Sequence, residues 1–239
     1  MLTGQKIVII GGSSGIGLET AKRAASQGAE LIIASRSRQK LEQAKAAIGD
    51  NAKVSAYTLD VTDEEQVQAF FAETGVFDHL VVSAAETGGG AFLTTPTGAA
   101  RGLFENKFWG QYYAAKYGAP KLNPQGSITL FSGIVAFKSM SGSSVLGAVN
   151  AAVANLGQTL ALELAPLRVN VVSPGIIDTP SRAGMAEAAR SAFYSSTAAK
   201  LPVQRIGTAE DVAEAVLYLI HNGFVTGTVL HADGGHRLI

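Results

Sequence analysis

The stretch Ile7-Val8-Ile9-Ile10-Gly11-Gly12-Ser13-Ser14-Gly15-Ile16-Gly17 decides the fold of this chain. Its first four residues are apolar and predict a buried strand, and a helical pattern follows the glycines from Leu18 to Gln27. Glycines between a strand and a helix permit a tight turn and let the backbone come close to a phosphate group. Because a helix N-terminus also attracts an anion, the stretch predicts a phosphate-binding turn, although loops of this kind are often turns alone.

Strands and helices alternate along the rest of the chain. Apolar runs predict further strands at 30–35, 53–59, 77–83, 127–132, 168–173 and 228–231, with helical patterns between them. This alternation predicts βαβ units, and therefore an α/β fold: a Rossmann-type doubly wound parallel sheet of about seven strands in three α/β/α layers. No linker or internal repeat divides residues 1–239, which predicts one domain, and the Ala/Ser-rich segment 178–200 is a candidate mobile flap.

The composition excludes several classes of function. The 239 residues contain 19 Lys plus Arg and 19 Asp plus Glu without a long basic block, which argues against nucleic acid as a partner. The absence of cysteine excludes disulfides and thiolate ligands, and the four histidines show no metal-ligand spacing, so no metal site is predicted. Neither a signal peptide nor an apolar run long enough to cross a membrane is evident, so we expect a cytoplasmic protein without a membrane partner.

Six further motifs follow the glycine turn along the chain. They are Asp60-Val61, Ser83-Ala84-Ala85, Asn106 in a helix predicted at 98–117, Ser132 at the end of a strand, Arg168-Val169-Asn170-Val171-Val172-Ser173-Pro174-Gly175, and Asp233-Gly234-Gly235. Together with the glycine turn they resemble the short-chain dehydrogenase/reductase family over essentially the whole chain. The resemblance implies that these motifs surround a dinucleotide and a substrate.

The residues and the resemblance together predict two groups of site residues. The catalytic group is Ser132 with Asn106. The resemblance further implies that the segment from Pro174 to Thr179 holds the nicotinamide carboxamide. The predicted cofactor-binding group is Gly11, Ser13, Ser14, Gly15, Ile16, Gly17, Ser35, Arg36, Asp60, Val61, Ser83, Ala84, Ala85, Asn150, Pro174, Gly175, Ile177 and Thr179.

The residue type at the end of the second predicted strand indicates whether NAD or NADP is favoured. An acid there would bind the adenosine ribose of NAD, whereas a cation favours the 2′-phosphate of NADP. The chain has Ser35-Arg36-Ser37-Arg38 at this point, with no acid. Arg36 can pair with the phosphate and stack on adenine, so we predict NADP(H); the alternative is that both arginines are solvated residues at the start of a helix.

The chain departs from the family at the positions that carry the chemistry. The family's proton donor is a tyrosine about a dozen residues after the serine, and a lysine four positions later lowers the tyrosine pKa and holds the nicotinamide ribose. The helix at 148–164 fixes a register that puts Leu146 at the tyrosine position and Asn150 at the lysine position. Leucine cannot donate a proton and asparagine carries no charge, although Asn150 can still hydrogen-bond a ribose hydroxyl.

Other side chains could replace the missing proton donor. Ser141, Ser143, Ser144 and Lys138 precede the helix, and Tyr194 lies in the candidate flap. Helix capping and loop solubility are the favoured interpretation of the serines, and Tyr194 is equally suited to an apolar contact in the flap. The pair Tyr112 and Lys116 has the family's spacing but precedes Ser132 in the chain, so packing or an interface is the favoured interpretation.

Two hypotheses of function follow. The first is an NADP(H)-dependent oxidoreductase that passes a hydride between the cofactor and the carbonyl or alcohol group of a small-molecule substrate, with an altered proton source. The second is a catalytically silent NADP(H)-binding redox sensor or partner subunit. The resemblance also implies a homodimer or homotetramer.

Overall fold

Seven parallel strands form the central sheet of the computed structural model, which describes residues 1–84 and 88–239. The strands of the chain are β1 Lys6–Ile10, β2 Glu30–Ser35, β3 Val54–Thr58, β4 Phe77–Val82, β5 Leu122–Phe131, β6 Arg168–Pro174, β7 Ile177–Asp178, β8 Gly207–Thr208 and β9 Val229–Ala232. The sheet order is β3-β2-β1-β4-β5-β6-β9, and β7 pairs with β8 separately. The chain therefore reverses direction across the sheet between β1 and β4, as in doubly wound folds.

Helices cover both faces of this sheet. They are α1 Gly15–Ser26, α2 Arg38–Ile48, α3 Glu64–Glu73, α4 Thr97–Leu103, α5 Gly110–Gly118, α6 Ser144–Glu163, α7 Glu187–Ala198 and α8 Ala209–His221. Buried residues of α1, α2 and α8 share one core cluster with Ile7 and Ile9, while those of α3, α5 and α6 share the other with Val8 and Ile10. Successive strand residues face opposite layers, and both layers are apolar, which explains the continuous hydrophobic run of β1. The predicted three-layer Rossmann-type fold is confirmed.

The helix predicted at 98–117 is interrupted by a π-helical turn. The chain forms α4, then the π-helical turn Phe104–Trp109, then α5. A π-helical turn accommodates an extra residue and changes the direction of the side chains that it carries. Its two buried residues are Asn106 and Lys107, so the turn faces two adjacent polar side chains inward.

The prediction that no apolar run is long enough to cross a membrane is wrong for α6. This helix has 20 residues and a mean hydropathy of 1.4, which is sufficient by length and composition alone. Its buried residues include Val149 and Val153, and Gly157 lies so close to Val171 of β6 that an added Cβ would be 2.2 Å from the valine side chain. The helix therefore packs directly on the sheet through these residues, while 28% of its apolar window is buried in the fold.

The segment proposed as a flap, 178–200, begins in the small β7–β8 sheet, and the chain returns to this sheet at Gly207. Ile177 pairs with Gly207, and Asp178 pairs with Thr208. Between the two strands lie a short 3₁₀ turn, Pro180–Arg182, and the helix α7. The stretch between β7 and β8, which contains the flap segment, therefore has its two ends held together near the carboxyl end of β6.

Candidate cofactor and substrate cavity

A cavity of about 790 Å³ lies at the carboxyl ends of the parallel strands. It extends from the turn after β1 to the π-helical turn, the first turns of α6 and the flap. The predicted site residues that line it are Gly11, Ser13, Ser14, Gly15, Ile16, Gly17, Ser35, Arg36, Val61, Ser83, Ala84, Asn106, Ser132, Asn150, Pro174, Gly175, Ile177 and Thr179. Topology brings them together, because parallel strands end on the same edge of a sheet.

The glycine turn requires glycine at two positions for different reasons. Gly11 has a φ of +91°, and a Cβ there would lie 2.5 Å from the backbone nitrogen of Ala84. At Gly17 an added Cβ would lie 2.3 Å from the carbonyl oxygen of Gly11, so this glycine lets α1 pack against the turn. Among the described residues, no side chain caps the N-terminus of α1 and no acid lies in its first turn. The first amide groups of α1 can therefore bind an anion.

Cations and hydroxyls line the end of the cavity next to β2. Arg36 and Lys40 both line it, and the buried Ser35 hydroxyl has no hydrogen-bond partner among the described residues. Arg38 instead points to solvent with 84% of its side chain exposed, and pairs with Glu42 at 3.8 Å. Of the two arginines, Arg38 thus fits the interpretation as a solvated helix residue. The sequence reasoning missed Lys40, although the third cation within five residues was a visible signal.

Two predicted residues are not found among those that line the cavity. The carboxylate of Asp60 accepts hydrogen bonds from the backbone nitrogen of Thr62 at 3.0 Å and its hydroxyl at 2.8 Å, and so stabilises the turn before α3. The cofactor contact predicted for Asp60 stays a prediction, while its neighbour Val61 does line the cavity. Ala85 lies outside the described residues.

Ser132, Leu146 and Asn150 all line the cavity. The Ser132 hydroxyl donates a hydrogen bond of 2.7 Å to the backbone oxygen of Asn150. The Asn150 side chain is only 2% exposed, and its Oδ1 has no partner among the described residues. Gly133 leaves space for the Asn150 side chain, since a Cβ at position 133 would lie 2.7 Å from the side-chain nitrogen Nδ2 of Asn150. Asn150 therefore presents an unused acceptor at the cavity.

Lys107 is a cavity residue that the sequence reasoning missed. It follows Asn106 in the π-helical turn, is 4% exposed, and donates a hydrogen bond of 2.9 Å from Nζ to the backbone oxygen of Ser132. Burial lowers the pKa of Lys107 from 10.5 to about 8. The available signal was a lysine directly after the asparagine singled out in this helix, but a straight helix would turn the two side chains about 100° apart.

Comparison with known proteins identifies the family. A family model described as Enoyl-(Acyl carrier protein) reductase matches residues 10–237. The Short-chain dehydrogenase/reductase ATR9 of Stachybotrys chlorohalonatus is 32% identical, covering 98% of this chain and 97% of the relative. The chain belongs to the short-chain dehydrogenase/reductase family. The resemblance read from the sequence motifs is thereby confirmed.

Solved structures of similar proteins share the fold over nearly their whole length. A small-chain dehydrogenase in complex with NADPH is 37% identical, with a TM-score of 0.86 and coverage of 98% of this chain and 99% of that one. The structure described as ElxO with NADP bound is 30% identical, with a TM-score of 0.88 and the same two coverages. Both similar proteins hold the cofactor that the sequence of this family member predicts.

The other candidate proton donors of this short-chain dehydrogenase/reductase differ in whether they line the cavity. Ser143 lines the cavity, whereas Ser141 and Ser144 do not. Lys138 donates to the backbone oxygens of His236 and Ile239, near the C-terminus. The Tyr194 hydroxyl donates to Asp178 at 3.1 Å, outside the cavity lining.

Tyrosine is absent from the described lining of the cavity. Tyr112 packs in an aromatic cluster with Trp109 and Tyr113. Lys116 pairs with Glu64 at 3.0 Å on the surface. The Tyr112 and Lys116 pair is thus located away from the cavity, in agreement with the packing interpretation.

Proposed function

We propose that this chain is an NADP(H)-dependent oxidoreductase that interconverts a carbonyl and an alcohol group on a small molecule. The observation that carries the proposal is the single cavity that joins the open N-terminus of α1 to Ser132 and Asn150. Its lining matches the parts of a dinucleotide: the amide groups of α1 suit the central pyrophosphate, and the polar side chains of Ser132 and Asn150 suit the nicotinamide ribose and the substrate. The relatives solved with NADPH or NADP support this choice of ligand.

The charge of the cavity supports NADP(H) over NAD(H). Its described lining contains the cations Arg36, Lys40, Lys107 and Arg182 and no carboxylate. Arg36 directly follows β2 and Lys40 lies in the first turn of α2, next to the strand end where the adenosine 2′-phosphate of NADP is bound in folds of this kind. An acid that would repel this phosphate is absent from the described lining.

Two buried atoms without partners test whether the residues fit the cofactor. Ser35 Oγ at the adenine end and Asn150 Oδ1 at the nicotinamide end are both buried and lack a hydrogen-bond partner among the described residues. A buried polar atom without a partner is costly unless a ligand or water satisfies it. A ribose hydroxyl can donate to Asn150 Oδ1, so the residues fit a dinucleotide at both ends.

We further propose that the active site is non-standard. The resemblance assigns the tyrosine and lysine positions to Leu146 and Asn150, and both residues line the cavity beside Ser132. Neither side chain can donate a proton from an acid of suitable pKa. Ser132 remains able to orient a carbonyl, provided that its hydroxyl rotates away from the Asn150 backbone oxygen that it contacts in this structure.

The flap defines the substrate end of the cavity. Met185 and Phe193 contribute apolar surface there, and the Arg182 guanidinium lies over the Phe193 ring, 5.3 Å from its centre. Met140 adds a further apolar contact from the loop before α6. We therefore propose a moderately apolar carbonyl compound as substrate.

The cofactor part of the proposal is tested by titration. NADPH should bind more tightly than NADH, and Arg36→Ala should weaken NADPH binding by roughly 10- to 100-fold, since a charge-assisted hydrogen bond contributes about 1.5–3 kcal/mol. NADH binding should barely change. Arg38→Ala is the matched control, because this arginine is exposed and pairs with Glu42. Equal losses for both cofactors would contradict the assignment of Arg36.

The catalytic part is tested with a panel of ketones, aldehydes and quinones and saturating NADPH. We expect slow oxidation of NADPH with at least one carbonyl, and a lower rate for Ser132→Ala. Tight NADPH binding without turnover on any compound would instead support the silent redox sensor or partner subunit. An unchanged rate for Ser132→Ala on a verified substrate would refute the role given to Ser132.

We also propose a homodimer or homotetramer located in the cytoplasm. The aromatic cluster of the π-helical turn and α5 leaves Trp109 37% exposed, which suits a contact with a second copy. Light scattering coupled to size-exclusion chromatography would give the mass, and a monomer of 24.7 kDa would contradict the oligomer.

A further inference from the structure

Lys107 is a buried charge without a counterion among the described residues. It is 4% exposed, and the one described partner of its Nζ is the neutral backbone oxygen of Ser132. An unpaired buried ammonium is costly, and an apolar side chain of similar length would pack at this position without the cost. A role that uses the ammonium group is therefore the simplest account of this residue.

The ammonium group lies at the catalytic end of the cavity. Lys107, Ser132, Leu146 and Asn150 all line it, and Nζ is 2.9 Å from the Ser132 oxygen. An ammonium group carries three hydrogen-bond donors, and only one of them has a partner among the described residues. Two N–H groups thus remain for a ligand in the same part of the cavity.

The elements packed around Lys107 bring no described charge close to it. Its own π-helical turn carries Glu105, which is exposed, and the flanking helices α4 and α5 carry Arg101 and Lys116, which are exposed as well. The strand β5 contains no charged residue, and the acid of α6, Glu163, lies at the end of that helix remote from Asn150. Burial accounts for the lowered pKa.

We propose that the ammonium group of Lys107 is the proton donor for carbonyl reduction, in the role that the family gives to tyrosine. This inference rests on the proposed oxidoreductase function. The carbonyl π bond breaks as its carbon takes the hydride that NADPH supplies. The carbonyl oxygen takes a proton from Lys107 Nζ, and the neutral amine that remains recovers a proton from water.

The acidity of Lys107 suits this step. With a pKa of about 8 the side chain is mostly protonated at pH 7, yet it releases its proton more readily than an ordinary lysine. An alcohol has a pKa far above 8, so transfer to the oxygen that gains charge is downhill. In the direction of alcohol oxidation the neutral amine acts as the base, which favours alkaline pH.

Three variants test the proposal: Lys107→Met removes the acid, Lys107→Arg keeps the charge but not the exchangeable proton, and Lys116→Met is the exposed control. For the wild type, kcat for reduction should fall as pH rises above about 8. Lys107→Met should lower kcat by about 10²- to 10⁴-fold, the usual contribution of a general acid, and change the Kd of NADPH little. Lys107→Arg should be similarly slow and lack the decline near pH 8, and the control should match the wild type.

A second measurement does not depend on turnover. The Nζ resonance of Lys107, identified in lysine-labelled protein as the signal absent from Lys107→Met, should titrate near pH 8 and shift when NADPH binds. A resonance that titrates near 10.5 or ignores NADPH would overturn the proposal. If Lys107→Met fails to fold, the signal absent from Lys107→Arg identifies the wild-type resonance, and this resonance and the pH profile of Lys107→Arg decide.

The outcomes separate this inference from the proposed function. A wild type that reduces carbonyls, together with a Lys107→Met variant of equal kcat and unchanged pH profile, overturns the role of Lys107 and leaves the oxidoreductase intact. A wild type that binds NADPH but reduces no carbonyl removes the oxidoreductase, and the donor role falls with it.

Discussion

Replacing Lys107 by methionine should change how the stability of the fold depends on pH. The folded protein buries this lysine without a described counterion, whereas the unfolded chain exposes it to water. The charged form is therefore disfavoured in the folded state relative to the unfolded one. Methionine has nearly the same length and carries no proton, so the variant lacks this contribution at every pH.

The magnitude follows from the two pKa values. Lysine has a reference pKa of 10.5, and burial lowers that of Lys107 to about 8. At about 1.4 kcal/mol per pKa unit, the buried charge costs on the order of 3 kcal/mol at pH 7. Between these pKa values the unfolded chain holds the proton and the folded protein has released it, so the free energy of unfolding rises with pH. From pH 7 to pH 9.5 the wild type should gain about 2 kcal/mol relative to Lys107→Met.

Denaturant unfolding, followed by circular dichroism at both pH values and one protein concentration, would measure this gain. Comparing wild type with variant cancels the contributions of the other titrating groups. Lys116→Met is the control: hydrogen bonding to Glu64 raises the pKa of Lys116, so its contribution has the opposite sign. Equal pH slopes for the wild type and Lys107→Met would refute the reasoning, because the ammonium would then be solvated or paired.

Three more predictions concern other parts of the molecule. The double variant Leu146→Tyr with Asn150→Lys should oxidise NADPH faster with simple ketones than Leu146→Tyr alone. If the double variant binds NADPH but is no faster than the parent, either the register that places these residues at the tyrosine and lysine positions is wrong or the pocket cannot accept the two side chains. Burial lowers the pKa of His79 to about 4, so the free energy of unfolding should fall by about 2–3 kcal/mol as the pH drops from 6.5 to 4. In urea unfolding at a series of pH values, His79→Gln should show a smaller fall over this range than the wild type. Gly17→Ala should abolish measurable NADPH binding in a fluorescence titration because its Cβ would lie 2.3 Å from a loop oxygen, whereas Gly98→Ala, with open space around it, should bind normally.

The fold could be predicted because local and global signals agree. The apolar run of β1 ends in glycines at the point where the strand order reverses, and both faces of the strand are covered by helices. The predicted cofactor residues lie at strand ends, and a parallel sheet brings such residues to one edge whatever the details of packing. This is why Ser35, Ser83 and Ser132, far apart in sequence, line one cavity.

The features that the sequence did not predict have local physical causes. Lys107 lies in a segment that propensity treats as ordinary helix, and only the π-helical turn buries it beside Asn106. Asp60 follows its strand as expected, but its carboxylate accepts two hydrogen bonds from Thr62, an arrangement that sequence spacing does not reveal. The hydropathy of α6 was underestimated because its charged residue lies at its last position, Glu163. A local change in helix geometry thus explains the burial of Lys107, and a hydrogen-bonding neighbour explains the position of the Asp60 carboxylate.

The pairing of β7 with β8 has a consequence for the evolution and engineering of specificity. Since Ile177 and Asp178 are tied to Gly207 and Thr208, residues 179–206 form a loop whose ends are already joined. A different insert would therefore meet the same two anchoring strands, and doubling its length would add only about 0.6 kcal/mol of closure entropy. We expect residues 180–206 of this loop to be exchangeable: grafting them from a relative, with the predicted cofactor-binding residue Thr179 kept, should transfer the substrate range of that relative while the affinity for the dinucleotide stays with the recipient.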